Sequence, residues 1–258
     1  MSVRIGLLTL ARDLKRRKAR ERQGLFVAEG LRTVEALLAS PLRVRGLLVS
    51  DTLERTPRGS ELLATIAARG LDLVRVSEAD FASAADTEQP QGVLAVAEQP
   101  ERRLDALALA DGARLLVLDG IQDPGNVGTL LRSAAALGAA ASVVLPGTVC
   151  RRNDKVVRAA VGHQFRHPPI AANIDELRAF LAAQDCALWG ASADGAPAGT
   201  APTPRRLAIA VGNEGNGLSA ELRDACHEMV SIPMAADAES LNVAVAAGIL
   251  LHVLRPAN

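Results

Sequence analysis

Three short segments between Asp123 and Val245 carry the residues suited to chemistry. The first is Asp123-Pro124-Gly125-Asn126-Val127-Gly128, followed by Arg132. Asn126 falls at a helix entrance, where its amide either caps the backbone or reaches a ligand. Arg132 comes about 240° further round an ideal helix, so the pair shares a face only if Asn126 belongs to the turn and points back. An Asn cap beside a solvated Arg is the plainer alternative. The second segment is Gly212-Asn213-Glu214-Gly215-Asn216-Gly217, directly after an apolar run. Its glycines permit a tight turn and close backbone approach to a flat ligand. The Gly-x-x-Gly-x-Gly spacing is not the dinucleotide fingerprint, and no Lys-Ser/Thr follows as in a phosphate loop. Glu214 favours a neutral or cationic ligand, and a glycine turn without a ligand is the alternative. The third segment is Ser231-Ile232-Pro233-Met234, then Glu239-Ser240-Leu241-Asn242-Val243-Ala244-Val245. Ser240 reads as the cap of the last helix, which leaves Asn242 two places inside an apolar helix. A buried Asn needs partners, from a ligand or a catalytic side chain.

The elements that hold these segments alternate strand with helix. Residues 114–119 are an apolar strand ending in Asp119, and Pro124 with Gly125 opens a helix carrying Val127, Leu130, Leu131, Ala134 and Leu137 at helical spacing. Strands follow at 141–145, 187–191, 207–211 and 229–232, helices at 152–160 and 175–183, and a loop at 195–204. Ser219 caps a short helix. The final helix is apolar nearly all round and belongs in a core or a subunit interface. Upstream, residues 9–22, 30–39 and 60–69 predict helices, and 44–49, 71–76 and 93–97 predict strands, an alternation that suggests a largely parallel sheet. The organisation expected is α/β: a small domain at 1–98, a linker at 99–113 and a second domain at 114–258. No repeat is visible.

Composition narrows the partners. Aromatics are 2% of 258 residues, so the cores are aliphatic and aromatic base-stacking is not the main grip on a nucleic acid. A net charge of zero hides Arg4, Arg12, Lys15, Arg16, Arg17, Lys18, Arg20 and Arg22 at the N-terminus, opposed there by Asp13 and Glu21. That cluster is either a phosphate-binding patch or a solvated helix face. Cys150, Cys186 and Cys226 are odd in number and lack His partners, which fits inert thiols rather than disulfides or a metal site. Residues 1–10 show no signal-peptide pattern. Residues 241–254 contain Asn242 and His252 and are too short to span a bilayer. A cytoplasmic protein is expected.

Taken in order, the three segments resemble the SpoU/TrmH family of RNA 2′-O-methyltransferases. The matching stretches are Asn126-Val127-Gly128 with Arg132, Val211-Gly212-Asn213-Glu214-Gly215 with Gly217-Leu218, and Ser231-Ile232-Pro233-Met234 with Ser240-Leu241-Asn242-Val243. The resemblance covers residues 114–254, and Phe26-Val27-Ala28-Glu29-Gly30-Leu31-Arg32-Thr33-Val34 and Gln91-Gly92-Val93-Leu94-Ala95-Val96 look like the family's substrate-binding domain. It implies a mostly parallel α/β catalytic domain with a trefoil knot, a rarity among folds. It also implies S-adenosylmethionine as cofactor, a homodimer, and structured RNA as substrate. The basic N-terminal helices suit a large folded RNA, ribosomal rather than transfer RNA, with a transfer-RNA 2′-O-methyltransferase as the alternative, and no metal is expected. By motif position, the backbones of Gly212, Ile232 and Leu241 hold the cofactor's nucleoside, with Met234 and Asn213 beside it. Asn126, Arg132, Glu214, Ser240 and Asn242 surround the reacting ribose. Arg132 either activates the hydroxyl, which is awkward for a guanidinium that stays protonated, or grips a phosphate and stabilises the oxyanion. Arg12, Lys15, Arg16 and Arg32 are the candidate RNA contacts. Gly162-His163 departs from the family pattern, and His163 reads as a core or surface residue rather than a catalytic one. The acidic Asp237-Ala238-Glu239 loop bears on which RNA is admitted. The rival readings are an RNA-binding module without catalysis, a nicotinamide-dependent dehydrogenase, and a base methyltransferase on the same fold.

Overall fold

The structure, a computed structural model, describes residues 3–99, 101–235 and 240–256. The chain divides into two compact units, Met1–Glu101 with Cys150–Arg166, and Arg102–Val149 with His167–Asn258.

In the first unit β1 (Leu25–Glu29), β2 (Val44–Val49), β3 (Leu73–Arg75) and β4 (Val93–Glu98) form a sheet in the order β1-β4-β2-β3. The largely parallel sheet expected here is corrected, because β4 returns between β1 and β2 and runs antiparallel to both. Only β2 and β3 are parallel. Both faces are buried, and side chains alternate between them. Phe26, Ala28, Leu47, Val49, Val93 and Ala95 pack under α3 (Leu31–Leu38) and α4 (Pro57–Ala68). Leu25, Val27, Leu48, Leu94 and Val96 pack under α1 (Val3–Asp13) and α5 (Glu78–Ala84). The single helix read at 9–22 is two, since the chain breaks before α2 (Arg17–Gln23). Buried Arg20 secures the break by donating to the carbonyls of Leu14 and Lys15 at 2.8 and 2.7 Å.

Residues 150–166, expected within the second domain, pack into this first unit. They form α7 (Asp154–Ala159) and α8 (His163–Arg166), and Val157 and Phe165 join the core of Phe26. Phe165 stacks on Phe26 with ring centroids 5.4 Å apart, a contact worth about 0.5–1.5 kcal/mol beyond its buried area. Gly162 adopts φ +80°, and a Cβ there would stand 2.3 Å from that of Ala36. Glycine is therefore required at the turn before His163, which is itself exposed.

In the second unit six strands run parallel in the order β10-β8-β9-β5-β6-β7. They are β5 (Arg114–Leu118), β6 (Ala141–Val144), β7 (Ile170–Ala171), β8 (Ala187–Pro197), β9 (Leu207–Val211) and β10 (Glu228–Ser231). Leu115 and Val117 face α9 (Ile174–Ala183) and α10 (Ala220–Ala225) through Leu177, Leu181 and Leu222. On the opposite face α6 (Pro124–Ala136) packs against β5, β6 and α11 (Val243–Val253). β8 outruns its predicted end at 191 because, after a bulge, Ala196 and Pro197 pair with Val230 and Ser231.

Candidate active site

Strand order reverses between β5 and β9: β6 and β7 extend from one, β8 and β10 lie beyond the other. Open parallel sheets bind ligands outside the carboxyl ends of strands at such a switch. All three predicted segments leave the sheet or enter a helix at that end. The loops after β5 and β9 are tied together by two hydrogen bonds. Asn213 Nδ2 donates to the Gly120 carbonyl at 3.0 Å, and the buried Asp119 carboxylate accepts from the Ser219 amide at 2.7 Å.

The glycine loop folds back on itself. Asn213 and Gly217 exchange backbone hydrogen bonds of 2.9 and 2.8 Å. Asn213 Oδ1 accepts from the amides of Gly215 and Asn216 at 3.0 and 3.1 Å. A Cβ on Gly212 would fall 2.2 Å from the Gly217 carbonyl carbon, so the tight return needs glycine there. Beside the loop, β8 bulges between Gly190 and Ala196 while β10 advances only from Met229 to Val230. Gly195 permits this, since a Cβ would meet the Met229 backbone at 2.6 Å.

These features enclose a cavity of about 540 Å³. The predicted cofactor residues Gly212, Asn213, Ile232, Met234 and Leu241 all line it, as do Glu214, Ser240 and Asn242. The bulge adds Ala191, Ser192 and Ala193, and Val211, Val230 and Leu250 add apolar wall. Among the described residues two charged side chains border it, Glu214 and Arg223. Nothing in the sequence reading pointed to Arg223 or the bulge, because their roles depend on strand order.

Asn126, Glu214 and Asn242 meet in one hydrogen-bond chain whose polarity is fixed. Asn242, not Ser240, caps α11: its Oδ1 accepts from the amides of Ala244 and Val245 at 2.9 and 3.4 Å. Its Nδ2 is thereby left to donate to Asn126 Oδ1 at 3.0 Å. Asn126 in turn presents Nδ2 to Glu214 Oε1 at 2.7 Å. Asp123 caps α6 by accepting from the Asn126 amide at 2.7 Å, which frees the Asn126 side chain for this contact. Asn242 is exposed rather than buried in its helix, so the partner expected of it is present but the burial is not. Ser240 lines the cavity without a side-chain hydrogen bond among the described residues.

Arg132 is not brought to this chain of amides. It lies exposed on α6, with no hydrogen bond or ion pair among the described residues. Of the candidate RNA contacts, Arg12 pairs with Asp80 at 2.9 Å, Lys15 donates to the Ser83 carbonyl at 3.0 Å, and Arg16 pairs with Asp13. Arg32 is exposed, with no partner among the described residues. Asp237, Ala238 and Glu239 lie outside the described residues, as does the side chain of Arg4. Burial pushes the Cys186 and Cys226 thiols up to about 11, as inert thiols require. Among the described residues no three metal-ligating side chains converge, and no helix is long and apolar enough to cross a membrane.

Residues 113–252 match the SpoU rRNA Methylase family, and residues 9–95 match the MRM3-like substrate binding domain. The 23S rRNA (guanosine(2553)-2'-O)-methyltransferase RlmP of Bacillus subtilis is 36% identical over 95% of this chain and 94% of that protein. The 23S rRNA (guanosine-2'-O-)-methyltransferase RlmB of Xanthomonas campestris is 32% identical over 81% of this chain and 86% of that protein. Among solved structures, the SpoU methyltransferase AviRb from Streptomyces viridochromogenes in complex with AdoMet superposes with a TM-score of 0.85. It is 28% identical, with 96% of each chain covered. With its motifs in order, its fold matched over nearly its whole length and relatives above 30% identity, the chain belongs to the SpoU rRNA methylase family.

Proposed function

We propose that this protein transfers a methyl group from S-adenosylmethionine to a ribose 2′-hydroxyl of 23S ribosomal RNA. The observation that carries the reading is the union of a glycine-walled cavity with the Asn242–Asn126–Glu214 chain at one strand switch. The cavity suits the donor: its volume lies within the roughly 300–1,000 Å³ usual for small-molecule sites. Its lining is apolar wall and glycine backbone, with few charges.

S-adenosylmethionine, when bound, supplies an electrophilic methyl on a sulfonium. The chain's own residues supply position and hydrogen bonding, the main source of rate in an in-line displacement. The backbones of Gly212, Ile232 and Leu241 hold the nucleoside, and Met234 and Asn213 border it. Asn126 and Asn242 hold Glu214 so that its second oxygen faces the ribose hydroxyls, and Ser240 adds a further hydroxyl. While the proton shed by the 2′-hydroxyl passes to water, Arg132 grips the adjacent phosphate and stabilises the developing oxyanion. It comes from a second copy of the chain, in a homodimer closed over the apolar ridge of Val245, Ile249 and Val253 on α11. These three side chains are exposed, between 36% and 51%, and an apolar ridge of this kind marks an interface. The second unit carries the knot that the resemblance implies, and the protein works in the cytoplasm. Arg12, Lys15, Arg16 and Arg32 contact RNA phosphates. The surface pairs that now hold Arg12 and Arg16 are worth only about 0–1 kcal/mol and exchange readily.

Tritiated methyl transfer to 23S ribosomal RNA from cells lacking the protein tests the reading. Wild type labels the RNA, and nuclease digestion followed by mass spectrometry yields a 2′-O-methylated nucleoside. Asn126→Ala and Arg132→Ala each lower the rate by about 100-fold or more. A base-methylated product, or full activity in Arg132→Ala, would overturn it.

A further inference from the structure

The donor carries charge in its amino-acid tail that the roles assigned so far leave unmatched. A cavity that takes up an α-amino carboxylate is favoured by a cation placed near that carboxylate. Among the described residues the lining offers one cationic side chain, Arg223. The guanidinium of Arg223, on α10, lies beside the loop: its Nη2 is 4.0 Å from where a Cβ on Gly217 would stand. It makes no ion pair or hydrogen bond among the described residues, although Glu221 and Asp224 flank it in sequence. The other charged group of the lining, Glu214, is engaged by the Asn126 amide and belongs to the ribose side of the site. One unengaged cation and one engaged carboxylate therefore border the same cavity.

We infer that Arg223 is the binding residue for the cofactor's carboxylate, and so discriminates the intact amino-acid tail from nucleosides that lack it. This rests on the cavity being the S-adenosylmethionine site. The planar guanidinium suits a carboxylate because two parallel N–H groups meet two oxygens, a geometry that lysine does not reproduce. A Cβ at Gly217 would only just come into van der Waals range of Nη2, so glycine leaves that side of the guanidinium uncovered. The Gly217 φ of +67° disfavours a side chain independently.

Calorimetry with two probes tests the inference without any turnover. S-adenosylhomocysteine carries the tail, and 5′-methylthioadenosine has the same nucleoside and sulfur without amine or carboxylate. Arg223→Ala is expected to weaken S-adenosylhomocysteine by about 10- to 100-fold, the scale of one charge-assisted contact. It leaves 5′-methylthioadenosine within about twofold, and Arg223→Lys recovers part of the loss. Arg223 is exposed, so the variants keep the wild-type melting temperature. Equal weakening of both probes, or of neither, would overturn the role of Arg223 while leaving the cofactor site intact. Loss of affinity for 23S ribosomal RNA with unchanged S-adenosylhomocysteine binding would overturn it too, by assigning the guanidinium to phosphate. Failure of wild type to bind either probe would instead remove the cofactor site itself.

Discussion

One methyl group added at Gly212 distinguishes a cavity made by backbone geometry from one made by glycine content alone. In Gly212→Ala the new Cβ would stand 2.2, 2.3 and 2.4 Å from the Gly217 carbonyl carbon, its oxygen and the Leu218 nitrogen. All three are backbone atoms, so no side-chain rotation relieves the clash. The strand end and the loop must part, which breaks the 2.9 and 2.8 Å exchange between Asn213 and Gly217. Two backbone hydrogen bonds, at about 0.5–1.5 kcal/mol each, and overpacking, at about 1–3 kcal/mol, give a destabilisation of about 2–6 kcal/mol. Trp189, the one tryptophan of the chain, is buried on β8 in the same unit and reports its unfolding in urea by fluorescence. Gly215→Ala is the control: its Cβ would meet only Asn213 Oδ1, at 3.5 Å, an ordinary contact. Gly212→Ala is expected to unfold at lower urea and to lose at least about tenfold in S-adenosylhomocysteine affinity, with Gly215→Ala close to wild type. Equal midpoints and affinities for the two variants would refute the reasoning, because composition alone would then suffice.

Two further outcomes follow from other parts of the molecule. Burial pushes the Asp154 carboxyl up to about 6, against the pull of Arg20 and Arg158 and with the push of Asp86 and Glu29. Between about pH 4 and pH 6 the folded state then holds a proton that the unfolded state has released, so stability from this group falls as pH rises through that window. A shift of this size costs on the order of 3 kcal/mol above pH 6. Asp154→Asn should therefore unfold at higher urea than wild type at pH 7.5 and match it near pH 4, followed by circular dichroism; equal midpoints at both values would refute the assignment. For the proposed dimer, Val245→Glu with Ile249→Glu should halve the mass seen by sedimentation and abolish methyl transfer. An active monomer would rule out the cross-subunit role of Arg132.

Local signals in the sequence located most elements, and long-range ones located few. β2 and β9 fall at their predicted residues, and α6 begins at Pro124 behind a capping Asp, because strand hydrophobicity and helix caps are local properties. The break between α1 and α2 was hidden, since the residue that stabilises it, Arg20, looks like surface charge until it is seen buried. The mixed first sheet, with β4 antiparallel to both its neighbours, was hidden because strand order is not written in strand composition. The docking of residues 150–166 into the first unit was hidden likewise, because Phe165 finds Phe26 across most of that unit's sequence. At the site, the residue types were legible from motif order. That Asn242 rather than Ser240 caps α11 was not, since both are good caps and only the path of the chain chooses between them.

The position of Arg132 ties the proposed chemistry to the proposed assembly. Asn126 spends its backbone amide on the Asp123 cap and both ends of its side-chain amide on Glu214 and Asn242. Both ends of that amide are thus already engaged, and Arg132, further along α6, makes no hydrogen bond to it among the described residues. Arg132 in turn finds no carboxylate or carbonyl among the described residues, although it stands on a helix packed against α11. That same α11 begins with the Asn242 cap and carries the exposed ridge from Val245 to Val253. A second copy seated on the ridge would lie against the packed pair of α6 and α11, the pair that carries Asn126, Asn242 and Arg132. Under this arrangement the site is completed by dimerisation, so an isolated chain still binds donor in its own cavity but lacks the cation needed at the ribose. Donor affinity and methyl transfer should therefore separate when the ridge is broken, the first retained and the second lost.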